Sequence, residues 1–149
     1  REVARARAEF QRAVRASTRS EDHLRLLSVP GIGPETARAL VAELPPDAAQ
    51  RPPSGTASYA GLAPLKNQSG KRDGPRRIGR GSARLRAALY MPALVCVKGQ
   101  DWARDLYARL RARGRTHRQA IVAVMRRLLL RALVVLREQR MWSTERPNT

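Results

Sequence analysis

The run Thr116-His117-Arg118-Gln119-Ala120-Ile121-Val122-Ala123-Val124-Met125-Arg126-Arg127-Leu128-Leu129-Leu130-Arg131-Ala132-Leu133-Val134-Val135-Leu136 decides the fold. Thr116 and Gln119 have the spacing of a capping box. After them Ile121, Val124, Met125, Leu128, Leu129, Ala132 and Leu136 recur at helical spacing. An apolar face that broad predicts a central core helix. Arg126, Arg127 and Arg131 interrupt it, and a lipid-facing span would not tolerate those charges, so the reading is a helix of a soluble domain with no membrane partner.

Moving upstream, Asp101 to Arg113 reads as a helix closed by Gly114. Ser82 to Lys98 reads as another, through Leu85, Leu89 and Val95, with a kink expected at Pro92 and an end at Gly99. Cys96 is the only cysteine and lies within Leu94-Val95-Cys96-Val97, so it reads as a core residue in a reducing compartment. Pro34 opens a helix to Leu44 that buries Ala37, Leu40, Val41 and Leu44, and Pro45-Pro46 ends it. The stretch from Pro45 to Gly55 reads as a surface connection.

At the other end, Glu2 to Ala16 places Val3, Phe10 and Val14 along a narrow stripe suited to a partner helix. Ser20 is expected to cap a separate short helix carrying Leu24, Leu26 and Leu27, which stops near Val29 because Pro30 follows. No run alternates apolar and polar residues. The fold class is therefore mainly α, with a helix-hairpin-helix element, a basic loop and a C-terminal helical bundle, and short strands allowed between Leu62 and Ile78. The expected organisation is the end of a long helix at 1–19, a single domain at 20–142 and a tail at 143–149. With no opening methionine and no secretion signal ahead of Arg1-Glu2-Val3, the chain is expected to be part of a longer polypeptide.

Charge bears most directly on function. Thirty Lys and Arg face 12 Asp and Glu, a net +18, and self-repulsion of that size calls for a polyanionic partner. A GC-rich genome would inflate Arg and Ala but does not explain the scarcity of acids. Lysine occurs only at 66, 71 and 98. The rest is arginine, whose planar fork matches phosphate oxygens two at a time.

Two segments concentrate the signal. In Leu27-Ser28-Val29-Pro30-Gly31-Ile32-Gly33, the glycines would let a hairpin around Gly31, Ile32 and Gly33 approach phosphate, with the amides of the next helix facing it. The dull alternative is a helix connection that only needed turn residues. The second segment carries Lys66, Lys71, Arg72, Arg76, Arg77, Arg80, Arg84 and Arg86, with Asp73 its only acid. It has glycines at 70, 74, 79 and 81 and is bounded by the apolar Tyr59-Ala60-Gly61-Leu62-Ala63 and a strong helix, so it reads as a functional loop rather than a solvated tail.

Other candidates are weaker. Gly79-Arg80-Gly81 lacks the Gly-Lys-Ser/Thr of a nucleotide-binding loop. Asp101 and Asp105 suit a helix first turn, His23 and His117 have no metal-ligand spacing, and Trp102, Tyr107 and Trp142 read as packing residues. No metal or other cofactor is expected on the chain itself.

Taken in order, Leu27 to Pro34, Tyr59-Ala60-Gly61-Leu62-Ala63-Pro64, Gln68-Ser69-Gly70-Lys71, Ile78-Gly79-Arg80-Gly81 and Leu85-Arg86-Ala87-Ala88-Leu89-Tyr90 resemble the C-terminal domain of the transposase family named for insertion sequences 110, 116 and 902. The resemblance spans about Leu24 to Leu136. It implies a serine joined covalently to DNA during recombination, here Ser69, with the neighbouring basic residues on the DNA backbone. It also implies an N-terminal RuvC-type domain with four acidic ligands for a divalent metal such as magnesium, a coiled coil ending in the Arg1 to Ala16 helix and joining copies of the protein, and in some members a structured bridge RNA as guide. The cell site implied is the bacterial cytoplasm, at the nucleoid. No acidic quartet is present here, so the chain alone is not expected to recombine DNA. Pro52-Pro53-Ser54-Gly55-Thr56 and Asp73-Gly74-Pro75 depart modestly from the pattern. The competing classes are a non-catalytic helix-hairpin-helix DNA-binding module and, third, an RNA-binding basic domain. In either of them Ser69 is an ordinary loop residue.

Overall fold

The computed structural model describes residues 1–62 and 82–144. Among these the secondary structure is α1 (Glu2–Leu27), α2 (Pro34–Glu43), α3 (Pro53–Tyr59), α4 (Ala83–Gly99), α5 (Asp101–Ala112) and α6 (His117–Glu138), with no strand. The mainly α class holds. The part of the chain from residue 63 where short strands were allowed lies outside the described residues.

The capping box forms as its spacing requires: Gln119 N donates to Thr116 Oγ1 at 3.2 Å and Thr116 N to Gln119 Oε1 at 3.0 Å. From that start α6 buries Ile121, Val124, Met125, Leu128, Leu129 and Ala132, with Leu133 and Val135 besides. Helices α1, α3, α4 and α5 all pack on α6, and α2 lies between α1 and α4. Leu85, Leu89, Ala93 and Cys96 form the inward stripe of α4, which runs through Pro92 without a break. Helix α5 ends at Gly114, whose φ of +84° sets up the paired bonds Arg115 N to Leu110 O and Gly114 N to Arg111 O.

Two expectations are corrected. The cap and break at Ser20 do not occur, because α1 is continuous from Glu2 to Leu27. Thr18 Oγ1 donates back to Val14 O at 3.0 Å, satisfying its hydroxyl inside the helix, and Arg25 pairs with Asp22 at 2.9 Å and Glu21 at 3.5 Å. The 19/20 boundary therefore falls within one helix. Only the last turns of α1 meet the core; Val3 and Phe10 are 81% and 71% exposed.

The second correction is α3, which occupies part of the stretch read as a connection. Pro53 stands in its first turn, where a missing N–H costs nothing, and the helix buries Thr56 and Ala57. Helix propensity was poor there, so burial and an end-cap do the work. Gly61, at φ +71°, closes α3 with Leu62 N bonded to Ala57 O at 2.8 Å and Gly61 N to Ser58 O at 3.0 Å. Arg137 of α6 fastens the preceding segment by donating to Ala49 O at 2.9 Å and Arg51 O at 2.8 Å.

The turn between α1 and α2 is held from three sides. Val29 and Ile32 are buried, and Ile32 N bonds to Val29 O at 3.0 Å. Beyond α6, Trp142 N donates to Ser28 Oγ at 2.8 Å. Gly31 has φ +97°, and a Cβ there would collide with Cys96 Sγ of α4. Gly33, at φ −91°, has nothing within 4 Å of a Cβ. Gly31→Ala is therefore expected to lose about 2–4 kcal/mol, left-handed backbone strain and overpacking together. Gly33→Ala should lose about 1 kcal/mol or less, as a change of cap residue. Urea unfolding of both variants checks this, and equal losses would contradict the packing described.

Candidate nucleic-acid interface

The hairpin offers less to a ligand than its three singled-out residues suggest. Ile32 points into the core and Gly31 faces α4, so their side-chain positions are turned inward. The exposed tip is Gly33, Pro34 and Glu35. Gly33 is the cap residue of α2 and contributes no side-chain bond to its first turn, which leaves those amides pointing outward with the partial positive charge of a helix start. Glu35 stands in that same turn and opposes an anion.

The basic segment leaves and rejoins the fold at one place. Ser82 N donates to Tyr59 O at 2.9 Å, tying the residues just after the segment to those just before it. Arg86 Nη1 donates to Ala60 O at 3.5 Å, and its guanidinium lies where a Cβ on Gly61 would be. Ser82 caps α4 by accepting from Leu85 N at 3.1 Å, and its hydroxyl donates to Glu43 Oε2 at 3.3 Å. Glu43 also meets Arg84 at 3.7 Å, a loose pair, since the Arg84 side chain is 87% exposed. Ser82 is thus the side-chain cap of α4. Of the expected binding residues, Lys66, Lys71, Arg72, Arg76, Arg77 and Arg80, like Ser69, lie outside the described residues.

Hairpin and basic segment sit at opposite ends of α4. Gly31 packs near Cys96 and Gln100, whereas Ser82 begins the helix. Thirteen residues of helix separate Ser82 from Cys96, about 20 Å at 1.5 Å per residue. Helix α2 runs antiparallel beside α4, its Gly33 end at the hairpin and its Glu43 end at the base of the segment. Any ligand touching both must reach along this pair of helices.

The remaining sequence candidates take structural places. Cys96 is buried, and desolvation pushes its thiol pKa up, which makes it inert. Tyr107 Oη and His117 Nδ1 are 2.7 Å apart at the α5–α6 turn. Asp101 pairs with Arg104 at 3.1 Å. Trp102 and Trp142 both lie against the Arg131 guanidinium, their ring centroids 4.1 and 4.9 Å from it. Sequence reasoning missed this cluster because residues 102, 131 and 142 share no local pattern. No group of three or more His, Cys, Asp or Glu able to hold a metal occurs among the described residues, and no described helix is long and apolar enough to cross a membrane.

Comparison with known proteins places the whole arrangement. Residues 23–108 match the model of the Transposase IS116/IS110/IS902 family. The chain is 32% identical over 143 residues to the insertion element IS116 uncharacterized 44.8 kDa protein of Streptomyces clavuligerus, covering 93% of this chain and 35% of that protein. It is 36% identical over 118 residues to the pilin gene-inverting protein of Moraxella bovis, covering 77% of this chain and 37% of that protein. The chain thus spans about a third of the length of these relatives. Matched from the end of α1 through most of α5, with the same hairpin and loop base inside the matched residues, this chain belongs to the IS116/IS110/IS902 transposase family.

Proposed function

We propose that this chain is the C-terminal part of a DNA transposase or recombinase, that it holds DNA through arginine-rich surfaces, and that it supplies the hydroxyl of Ser69 as nucleophile. Family membership carries this reading. The name of the Moraxella relative, a gene-inverting protein, supports DNA strand exchange as the activity. The closed base at Tyr59, Ser82 and Arg86 supports the rest, since it brings together the residues on either side of the basic segment.

In this reading Ser69 Oγ attacks a backbone phosphorus and the bond from phosphorus to the departing sugar oxygen breaks. The products are a phosphoserine ester and a free DNA hydroxyl, which takes up a proton. In the second step a hydroxyl of the other strand attacks that ester and releases Ser69. Arg72, Arg76, Arg77 and Arg80 would offset the charge that grows on the phosphoryl oxygens. A divalent metal, magnesium by the family resemblance, would be held by an acidic domain outside this sequence. A bridge RNA would be a second nucleic-acid partner on the same basic surfaces. The exposed stripe of Val3, Phe10 and Val14 supports pairing of α1 with a helix of another copy. The bacterial cytoplasm follows from the DNA substrate.

The reading has two direct checks. With about six to ten phosphate contacts, log affinity of the chain for duplex DNA should fall with log salt at a slope of roughly −5 to −9. Salt-independent binding measured by anisotropy would count against it. In the full-length protein, Ser69→Ala should abolish recombination and the covalent protein–DNA adduct while DNA binding stays nearly intact. Ser82→Ala, the control, should cost about 1 kcal/mol of stability with the chemistry retained. Normal recombination by the Ser69→Ala protein would move the chain to the non-catalytic class.

A further inference from the structure

A groove of about 300 Å³ runs along the outer side of α6, lined by Arg126, Arg127, Leu130 and Arg131, with Arg137 at one end and Pro53 of α3 opposite. Residues 127, 130, 131, 134 and 137 recur every three or four positions, so the groove follows a single helical stripe, the reverse of the core face. Like charges at that spacing repel, and here a concave wall holds them together.

Among the described residues, acid is scarce in the groove. Glu138, the only acid among the described lining residues, is ion-paired to Arg140. Arg137 spends its Nε and Nη2 hydrogens on the carbonyls of Ala49 and Arg51. Arg126 Nε is buried with no hydrogen-bond partner among the described residues, and a guanidinium N–H left unmade in that way is destabilising. Arg131 lies against Trp102 and Trp142. Its burial, followed by the nearby Arg127, pushes its pKa down.

We propose that this groove is a second nucleic-acid contact, separate from the hairpin and the 63–81 segment, in which Arg126, Arg127 and Arg131 receive a backbone phosphate. Its volume suits one phosphate with the edges of its sugars and is too small for a base pair. The guanidinium fork fits two phosphate oxygens at once. Position favours a strand over a free ion. Pro53 at the groove starts α3 and Gly61 at the base of the basic segment ends it, so one short helix of seven residues, about 10 Å, links the two surfaces. The inference rests on the nucleic-acid reading above, and the two fail in different ways.

The molecule carries its own reporter, because both tryptophans of the chain lie against Arg131. The 149-residue chain is titrated with an end-labelled random-sequence duplex of about 20 base pairs, following DNA anisotropy and tryptophan emission together. Emission should change saturably and in step with anisotropy. The exposed Arg127→Gln should reduce the salt slope by about one, and Arg126→Gln with Arg127→Gln by about two, whereas Arg109→Gln on α5, away from the groove, leaves it unchanged. Far-ultraviolet circular dichroism confirms folding. If burial of Arg126 makes the double variant unfold, the Arg127→Gln slope and the wild-type emission still decide. Wild-type affinity and slope in a folded Arg127→Gln chain, with no emission change on saturation, would overturn the groove and leave the nucleic-acid reading standing. Emission that responds to millimolar inorganic phosphate but not to duplex would also overturn it. Absence of any duplex binding by the wild-type chain would remove both.

Discussion

Everything in this fold leans on one apolar surface, the inner face of α6. Ile121, Val124, Leu128, Leu129 and Ala132 are shut away from water, and α1, α3, α4 and α5 each bury their own stripe against that face. In a chain of net charge +18 this arrangement matters, because desolvating apolar area must outweigh the mutual repulsion of the arginines. The structure meets this by separating the two along α6 itself: its inner side is hydrocarbon and its outer side carries Arg126, Arg127, Arg131 and Arg137.

That separation decides where positive charge is presented. The hairpin and the base of the basic segment stand at opposite ends of the antiparallel pair α2 and α4, and the arginine groove lies at the start of α3. Each of these places has a tertiary fastening: Gly31 is seated on Cys96, Ser82 is bonded to Tyr59 and Glu43, and Arg137 is bonded to the chain ahead of α3.

The hairpin illustrates how a motif divides once it is packed. Gly31 and Gly33 look equivalent in a glycine-rich turn, yet one is needed for its left-handed φ and for contact with α4, and the other lies open at the start of α2. The arginines divide in the same way. Arg84 remains in water beside Glu43, while Arg86, two residues on, is drawn over the Gly61 turn.

The sequence alone determined the α6 core face, the Thr116–Gln119 box, the ends of α2 and α5, the family and its arginine-rich character, because each is written in residues within a few positions of one another or in an order of short motifs. Helical periodicity and capping are local physics, and they survive packing. Only the tertiary structure decided that α1 runs unbroken through Ser20, that Pro53–Tyr59 is helical, that Gly31 faces inward, and that Trp102, Arg131 and Trp142 stack beside an arginine-lined groove. Those outcomes depend on partners far apart in sequence: Cys96 for Gly31, Ala48 and α6 for the weak α3, and Ser28 for Trp142. Long-range burial overrides weak local preference, and no window of sequence contains both halves of such a contact.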